Sequence, residues 1–497
     1  MSMIEIPLLS LIIFLPFVGA LLLLALRLPQ KASYWLSVVW SLVVFAIAVG
    51  LLLNFADGST SGFAFSEKLE WLKPLGMNYQ VAVDSISAWL IALTAFVSLV
   101  AAFSAREIQG RHNYFRAWLL TLETGILGVF AATNLLNFYV FWEVMLIPAY
   151  FLIGRWGITR ERVKSAIRFV IYTLVGSLLM LVAMLALAFL TVPAGGQPSL
   201  DLLVLKERIG GLDRSTQEWL FLAFAAAFAV KVPLFPLQAW QPDAYAESPT
   251  PVTIVLAGVM SKTGTYGFLR FGIFLFPTAS QTFAPLICIL ALASIIYGAL
   301  AALGQTDLKR LLAYSSLSHT GFIVLGLFAL NNQGVNGAVL QMINHGITTP
   351  ALFLAATALS NRTGTTELAG MAGLQSRMPR LAALFLILSL ASLGLPGLNQ
   401  FAGEFLILGG AWQASAWYAV IGAVGVVLAA WYSIRMFQLI WHGPRAENEV
   451  PALAKALDMR PVEYLVFVPL VALIVLLGLA PALVTSIFDG SVSTLLK

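Results

Sequence analysis

An apolar run of roughly twenty residues can span a bilayer as a helix. Hydrocarbon offers no partner to a bare amide, so each backbone group in the run must be bonded within the segment. This chain repeats that pattern along most of its length. About fourteen spans are predicted, near residues 4–27, 33–54, 83–104, 114–133, 135–153, 166–192, 217–247, 251–276, 281–303, 310–330, 335–359, 381–412, 415–441 and 463–486. The predicted fold is an all-α polytopic membrane protein. Composition agrees: of 497 residues, 60% are hydrophobic and 10% are charged, and the mean hydropathy is +0.90. A soluble domain carries about 25% charged residues.

The loops give the chain its direction. Loops leaving odd-numbered spans carry Arg27 and Lys31, then Arg106, Arg111 and Arg116, then Arg155, Arg160, Arg162 and Lys164. Later ones carry Lys309 and Arg310, then Arg362, Arg377 and Arg380, then Arg445, Lys455 and Arg460. The loop after span seven breaks the series, with Asp243 and Glu247. Loops leaving even-numbered spans are poorer: Lys68 and Lys73, then Lys206, Arg208 and Arg214. Lysine and arginine concentrate on the cytoplasmic side, which places both termini outside. The net charge of +5 is spread over these loops and does not point to nucleic acid. The single cysteine, Cys288, lies in an apolar run and offers neither disulfide nor metal set. The N-terminal stretch lacks a basic head and a small-residue cleavage site, and reads as a first helix rather than a signal peptide. Residues 193–216 are expected to hold a short interfacial helix, and residues 55–82 a longer external loop.

Two spans are interrupted. Span seven breaks at KVPLFP, where Pro233 and Pro236 follow Lys231, and span twelve breaks at LGLPGLNQFAGEF. Proline removes an amide donor and clashes with the preceding turn. Interrupted helices in corresponding positions of two halves are a sequence pointer to a transport site. Five helices separate these two in order, which gives two inverted five-helix repeats, spans 4–8 and 9–13. The predicted division is residues 1–112 for spans 1–3, 113–276 and 277–441 for the repeats, and 442–497 for the last helix.

Charges inside spans cost roughly 2.5–3.5 kcal/mol each on insertion scales, so each is a candidate functional group. Glu143 sits mid-span in NFYVFWEVML, and Lys231 and Lys262 lie in spans seven and eight. His319 and His345 lie on spans ten and eleven, Glu404 follows the second break, and Glu123 lies nearer a helix end. Such a set can pass protons, because burial destabilises a charged lysine and a nearby carboxylate restores it. Each has a plainer reading. Glu143 and Lys231 could be a structural ion pair, Lys262 could snorkel, the histidines could be satisfied core residues, and Glu404 could cap a helix. Arg270 is expected to snorkel at the end of span eight, and Asp84 to start a helix. Metal binding is not expected of two histidines on separate helices.

The segments FWEVMLIPAYFLIGRWG, VKVPLFPLQAWQPDAYAESPTPVTIVLAGVMSKTGTYGFLR, LAALGQTDLKRLLAYSSLSHTGFIVLGLFA, QMINHGITTPALFL and GLPGLNQFAGEFLILGGAW together carry a resemblance. The chain resembles the antiporter-like membrane subunits of respiratory complex I, relatives of the Mrp sodium/proton antiporter subunits, over nearly its whole length. Glutamate rather than lysine at Glu404, and the short C-terminus, make it most similar to the chain M (chain 4) type. The resemblance implies proton translocation through Lys231, Lys262, the histidines and Glu404, with Glu143 tuning Lys231. It implies that NAD(P)H or ferredoxin, iron–sulfur clusters and quinone belong to partner subunits. It also implies chain L and chain N types as flanking partners, in a bacterial cytoplasmic or a thylakoid membrane. Where relatives commonly read HTWLPDAH this chain reads QAWQPDAY, with Gln238 and Tyr245, leaving Asp243 and Glu247 to gather protons at the entrance. Helix twelve carries Asn399 and Gln400 in place of a common Ser-Gly. Those departures leave open a variant chain 4 of cyanobacterial complexes for carbon dioxide uptake and a scaffold with a dead channel; an Mrp-type antiporter is a separate alternative, against which Glu404 speaks.

Overall fold

The computed structural model describes residues 7–56, 58, 62–72, 76–108, 110–443 and 458–496. Lys73, Arg445 and Lys455 lie outside the described residues. Among those described, ten helices are long and apolar enough to cross a membrane. They include α1 (Leu8–Leu26), α2 (Gln30–Leu53), α3 (Ser85–Ser104), α7 (Arg162–Leu190), α13 (Pro277–Leu303), α14 (Leu308–Phe328) and α18 (Ala416–Trp441). Four other predicted spans are helical too. The helix α4 (His112–Ala131) carries Arg116 and Glu123, and α15 (Asn332–Thr363) carries Gln341, Asn344 and His345, so both are less apolar. The remaining two are broken: α9 (Arg214–Lys231) with α10 (Gln241–Glu247), and α16 (Pro379–Ser392) with α17 (Asn399–Ala414). Predicted and observed ends agree to within a few residues. The last span ends at Leu479, and a separate helix, Ala482–Leu495, follows.

Two compact units make up the chain. The first is Met1–Val232, Val259–Phe283 and Ser486–Lys497; the second is Pro233–Gly258 and Ala284–Thr485.

In the first unit the predicted external loop contains an antiparallel hairpin, β1 (Ala64–Leu72) and β2 (Met77–Val83). Helix α1 has no side-chain cap of its own at Pro7, and the hairpin supplies one. Glu67 accepts from the amides of Leu9 at 2.7 Å and Ser10 at 3.1 Å. This satisfies two of the donors that a helix start leaves open, and sets a negative charge at its positive end. The predicted interfacial helix is α8 (Leu202–Arg208), capped by Asp201. Lys206 Nζ donates to the Phe274 carbonyl at 2.6 Å, closing the end of the eighth span.

Two charges differ from their expected places. Arg116 is not a loop residue but a buried one, donating to Ser33 Oγ at 3.0 Å and to the Ala105 carbonyl at 3.3 Å. Arg270 does not snorkel: it is 3% exposed and pairs with Asp84, which also caps α3 through the Ser87 amide at 2.9 Å. A guanidinium with a carboxylate in reach need not travel to water. Removing one partner of a buried pair strands the other, at about 3–5 kcal/mol. Arg270→Leu is therefore expected to lower the thermal unfolding midpoint in detergent well below wild type. An unchanged midpoint would mean the pair adds no stability.

In the second unit, Arg362 of α15 grips Glu463 through two bonds, at 2.9 and 2.7 Å. Glu463 also accepts from the Arg460 amide at 2.7 Å, so one carboxylate both starts the helix Pro461–Leu479 and ties it to α15.

Candidate functional site

The fifth span is two helices, α5 (Leu135–Val144) and α6 (Leu146–Trp156), interrupted at Met145. Pro148 accounts for this: its ring opposes the carbonyl four residues back, that of Val144. The interruption falls two residues after Glu143. Nearby, α9 ends at Lys231, and Pro233 and Pro236 prevent its continuation. Lys231 is 1% exposed, and its Nζ has no hydrogen-bond partner. Its ammonium lies over two aromatic faces instead, 5.0 Å from the Trp142 ring centre and 5.7 Å from that of Phe169. Glu143 is its electrostatic partner, without a hydrogen bond to it. An ammonium held by ring quadrupoles and a carboxylate at longer range can lose and regain its proton. This arrangement is looser than the structural ion pair that the sequence left open.

Lys262 is fully buried at the start of α12 (Ser261–Gly267), and its Nζ donates to Ser261 Oγ at 3.3 Å. It does not snorkel. Wider π-helical turns, Leu256–Met260 and Phe268–Ile273, lie on either side of α12, the first of them following the short helix α11 (Thr250–Val255). Such turns are frequent at functional sites, and nothing in the sequence pattern announced them. The helix meets α9 at a glycine. A Cβ on Gly264 would come within 2.8 Å of Val232 Cγ2, and within 3.1 Å of Lys231 Cβ and the Phe228 carbonyl. Gly264→Val is expected to push the two lysine helices apart and cost about 1–3 kcal/mol of stability. A thermal unfolding midpoint equal to wild type would show that the contact yields without strain. Glu123 is buried on α4 with Ser98 as its polar neighbour.

The second unit gathers His319, His345 and Glu404. His319 Nδ1 lies 2.9 Å from Glu404 Oε1, and the two imidazole centres are 6.0 Å apart. Glu404 is the sixth residue of α17 and does not cap it. Gln341 Nε2 donates to Glu404 Oε1 at 3.2 Å and to Gln400 Oε1 at 3.1 Å. Asn399, the other departure in this helix, locks the break to α15. It donates to the Asn344 carbonyl at 3.1 Å, while Asn344 Nδ2 donates to its carbonyl at 2.6 Å. Gly394 leaves room for the carboxylate. Its φ is +79°, and a Cβ there would stand 2.8 Å from Glu404 Oε2.

The expected entrance residues are arranged differently from expectation. Asp243 is paired with Arg310 at 2.9 Å, and Glu247 is buried and interacts with the Lys309 ammonium. The two acids are thus matched by the two basic residues that open α14. Tyr245 donates its hydroxyl to the Leu256 carbonyl at 3.2 Å. It holds the backbone where the first π-helical turn begins. Gln238 is buried. Sequence reasoning missed Tyr432, whose hydroxyl lies 3.1 Å from His319 Nε2 and 2.8 Å from Ser315 Oγ. A tyrosine in an apolar span carries no charge to draw notice.

Comparison with known proteins adds an independent line. Residues 132–429 match the family described as NADH:quinone oxidoreductase/Mrp antiporter, TM. The NADH-quinone oxidoreductase subunit M of Rhodobacter capsulatus is 38% identical over 99% of this chain and 96% of its own. The NADH-ubiquinone oxidoreductase chain 4 of Marchantia polymorpha is 36% identical over 98% of this chain and 97% of its own. Among solved structures, a chain of respiratory complex I from Thermus thermophilus with bound NADH superposes with a TM-score of 0.87. It is 34% identical and covers 98% of this chain and 100% of that one.

Proposed function

We propose that this chain, which belongs to the NADH:quinone oxidoreductase/Mrp antiporter membrane family, is a proton-translocating membrane subunit of an NADH:quinone-type oxidoreductase. Redox chemistry, with its NAD(P)H or ferredoxin, iron–sulfur clusters and quinone, resides in partner subunits. Chain L and chain N types flank this one, in a bacterial cytoplasmic or a thylakoid membrane with both termini outside. Spans 4–8 and 9–13 act as the two inverted repeats. Lys231 takes a proton from the side of the basic loops, under control of Glu143, and passes it to Lys262. His319 and His345 relay it, and Glu404 releases it outside.

The observation that carries this reading is the buried His319–Glu404 pair at 2.9 Å, placed beside a helix break. An ionisable pair that a bilayer penalises is retained where a proton has use for it. The test uses inverted membrane vesicles and the purified complex. Copurification with redox subunits and NADH-driven acidification are the expected results. A chain that purifies without them and exchanges sodium for protons would make it an antiporter instead.

A further inference from the structure

Three residues of α14 lie on one helical face at four-residue spacing: Leu311, Ser315 and His319. Tyr432 of α18 lies against that face. Its hydroxyl joins Ser315 Oγ at 2.8 Å to His319 Nε2 at 3.1 Å, and His319 Nδ1 joins Glu404 at 2.9 Å. The bonding polarity follows for a neutral His319 beside an ionised Glu404. An ionised Glu404 only accepts, so His319 carries its proton on Nδ1 and leaves Nε2 as acceptor. Tyr432 therefore donates to Nε2, and Ser315 donates to the phenol oxygen. A narrow cleft near the end of α14 that bears Lys309 and Arg310 is lined in part by Tyr432. Leu303, Gln305, Leu311, Tyr432, Arg435 and Met436 are among its lining residues. Its water-sized space is about 10 Å³, near the room that one water needs.

We propose that this cleft is a second proton intake on the basic-loop side, with Tyr432 as the relay that connects it to Glu404. The inference rests on the translocation reading above. A proton from water in the cleft binds the phenol oxygen as the phenol proton moves to His319 Nε2. The Nδ1 proton then moves to Glu404 Oε1. The net change is one proton transferred from cleft to carboxylate, with Tyr432 and His319 neutral before and after. Glu404 would then receive protons from the cleft in addition to those passed on from Lys231, in a cycle that still requires Lys231.

The test compares three variants of the whole complex in inverted vesicles, each scored as protons pumped per NADH oxidised. Lys231→Ala gauges the translocation reading: wild-type pumping there overturns that reading whatever Tyr432 does. Tyr432→Phe removes one oxygen and keeps the ring, and is expected to lower the ratio several-fold. Gln305→Cys is treated with a membrane-impermeant methanethiosulfonate, with treated wild-type complex as the control for partner cysteines. Labelled Gln305→Cys is expected to pump several-fold less than the same variant unlabelled. With Lys231→Ala impaired, a wild-type ratio in Tyr432→Phe overturns the relay. A fully labelled Gln305→Cys that pumps like the unlabelled variant overturns the intake, and would leave Tyr432 a positioning residue for His319. If Tyr432→Phe fails to assemble, the labelling comparison decides.

Discussion

Replacing Lys231 by alanine is expected to leave an assembled complex that pumps roughly a tenth of the protons of wild type, or fewer. The ammonium is surrounded by two aromatic rings and a distant carboxylate, and has no hydrogen-bond partner. Without the amine, a proton must cross that apolar gap unaided. Burial of an uncompensated charge costs several kcal/mol, and each 1.36 kcal/mol of barrier is about tenfold in rate. Assembly should survive, because Glu143 can take up a proton and become neutral once its partner is gone. Pumping per NADH oxidised checks this, with subunit composition measured on the same sample. Glu143→Gln combined with Lys231→Ala should be no less stable than Lys231→Ala alone, since it removes the stranded carboxyl.

Glu404→Gln is expected to have an effect of similar size by a different route. Glutamine has the same shape and still accepts from His319 Nδ1, so the hydrogen bonds around it are largely kept. Stability should change by about 1 kcal/mol or less. A glutamine cannot take up the proton, so the second unit loses its terminal carrier and pumping falls about tenfold or more. Gly394→Ala provides a contrast. It forces a left-handed φ on alanine and crowds Glu404 Oε2, at a cost of about 1–2 kcal/mol. A Glu404→Gln complex that assembles and pumps like wild type would remove Glu404 from the path.

The buried charges of the candidate site were legible as such in the sequence because an apolar run makes any charge conspicuous. Lys231, Lys262, Glu143 and Glu404 needed only hydropathy and the cost of burial. Both helix breaks were legible through Pro233, Pro236 and the Gly-Leu-Pro-Gly run at Gly394 to Gly397. What could not be read were the pairings. Arg270 sits near a helix end, where a cation ordinarily snorkels, and its partner Asp84 is 186 residues away. Asp243 and Glu247 looked like free acids because Lys309 and Arg310 belong to another loop. Tyr432 and Ser315 are neutral, and tyrosine and serine are common enough in spans to carry no signal. The hairpin at β1 and β2 was hidden in a stretch judged only by its polarity.

The central claim is that a proton travels along buried groups of this chain and ends on Glu404. Infrared difference spectroscopy of the complex during NADH-driven turnover tests it most directly, because a protonated carboxyl absorbs apart from a carboxylate. A carboxyl band that appears on turnover in wild type and is absent in Glu404→Gln belongs to Glu404. The account predicts such a band, and predicts that Lys231→Ala diminishes it. A wild-type difference spectrum that Glu404→Gln leaves unchanged would contradict the account.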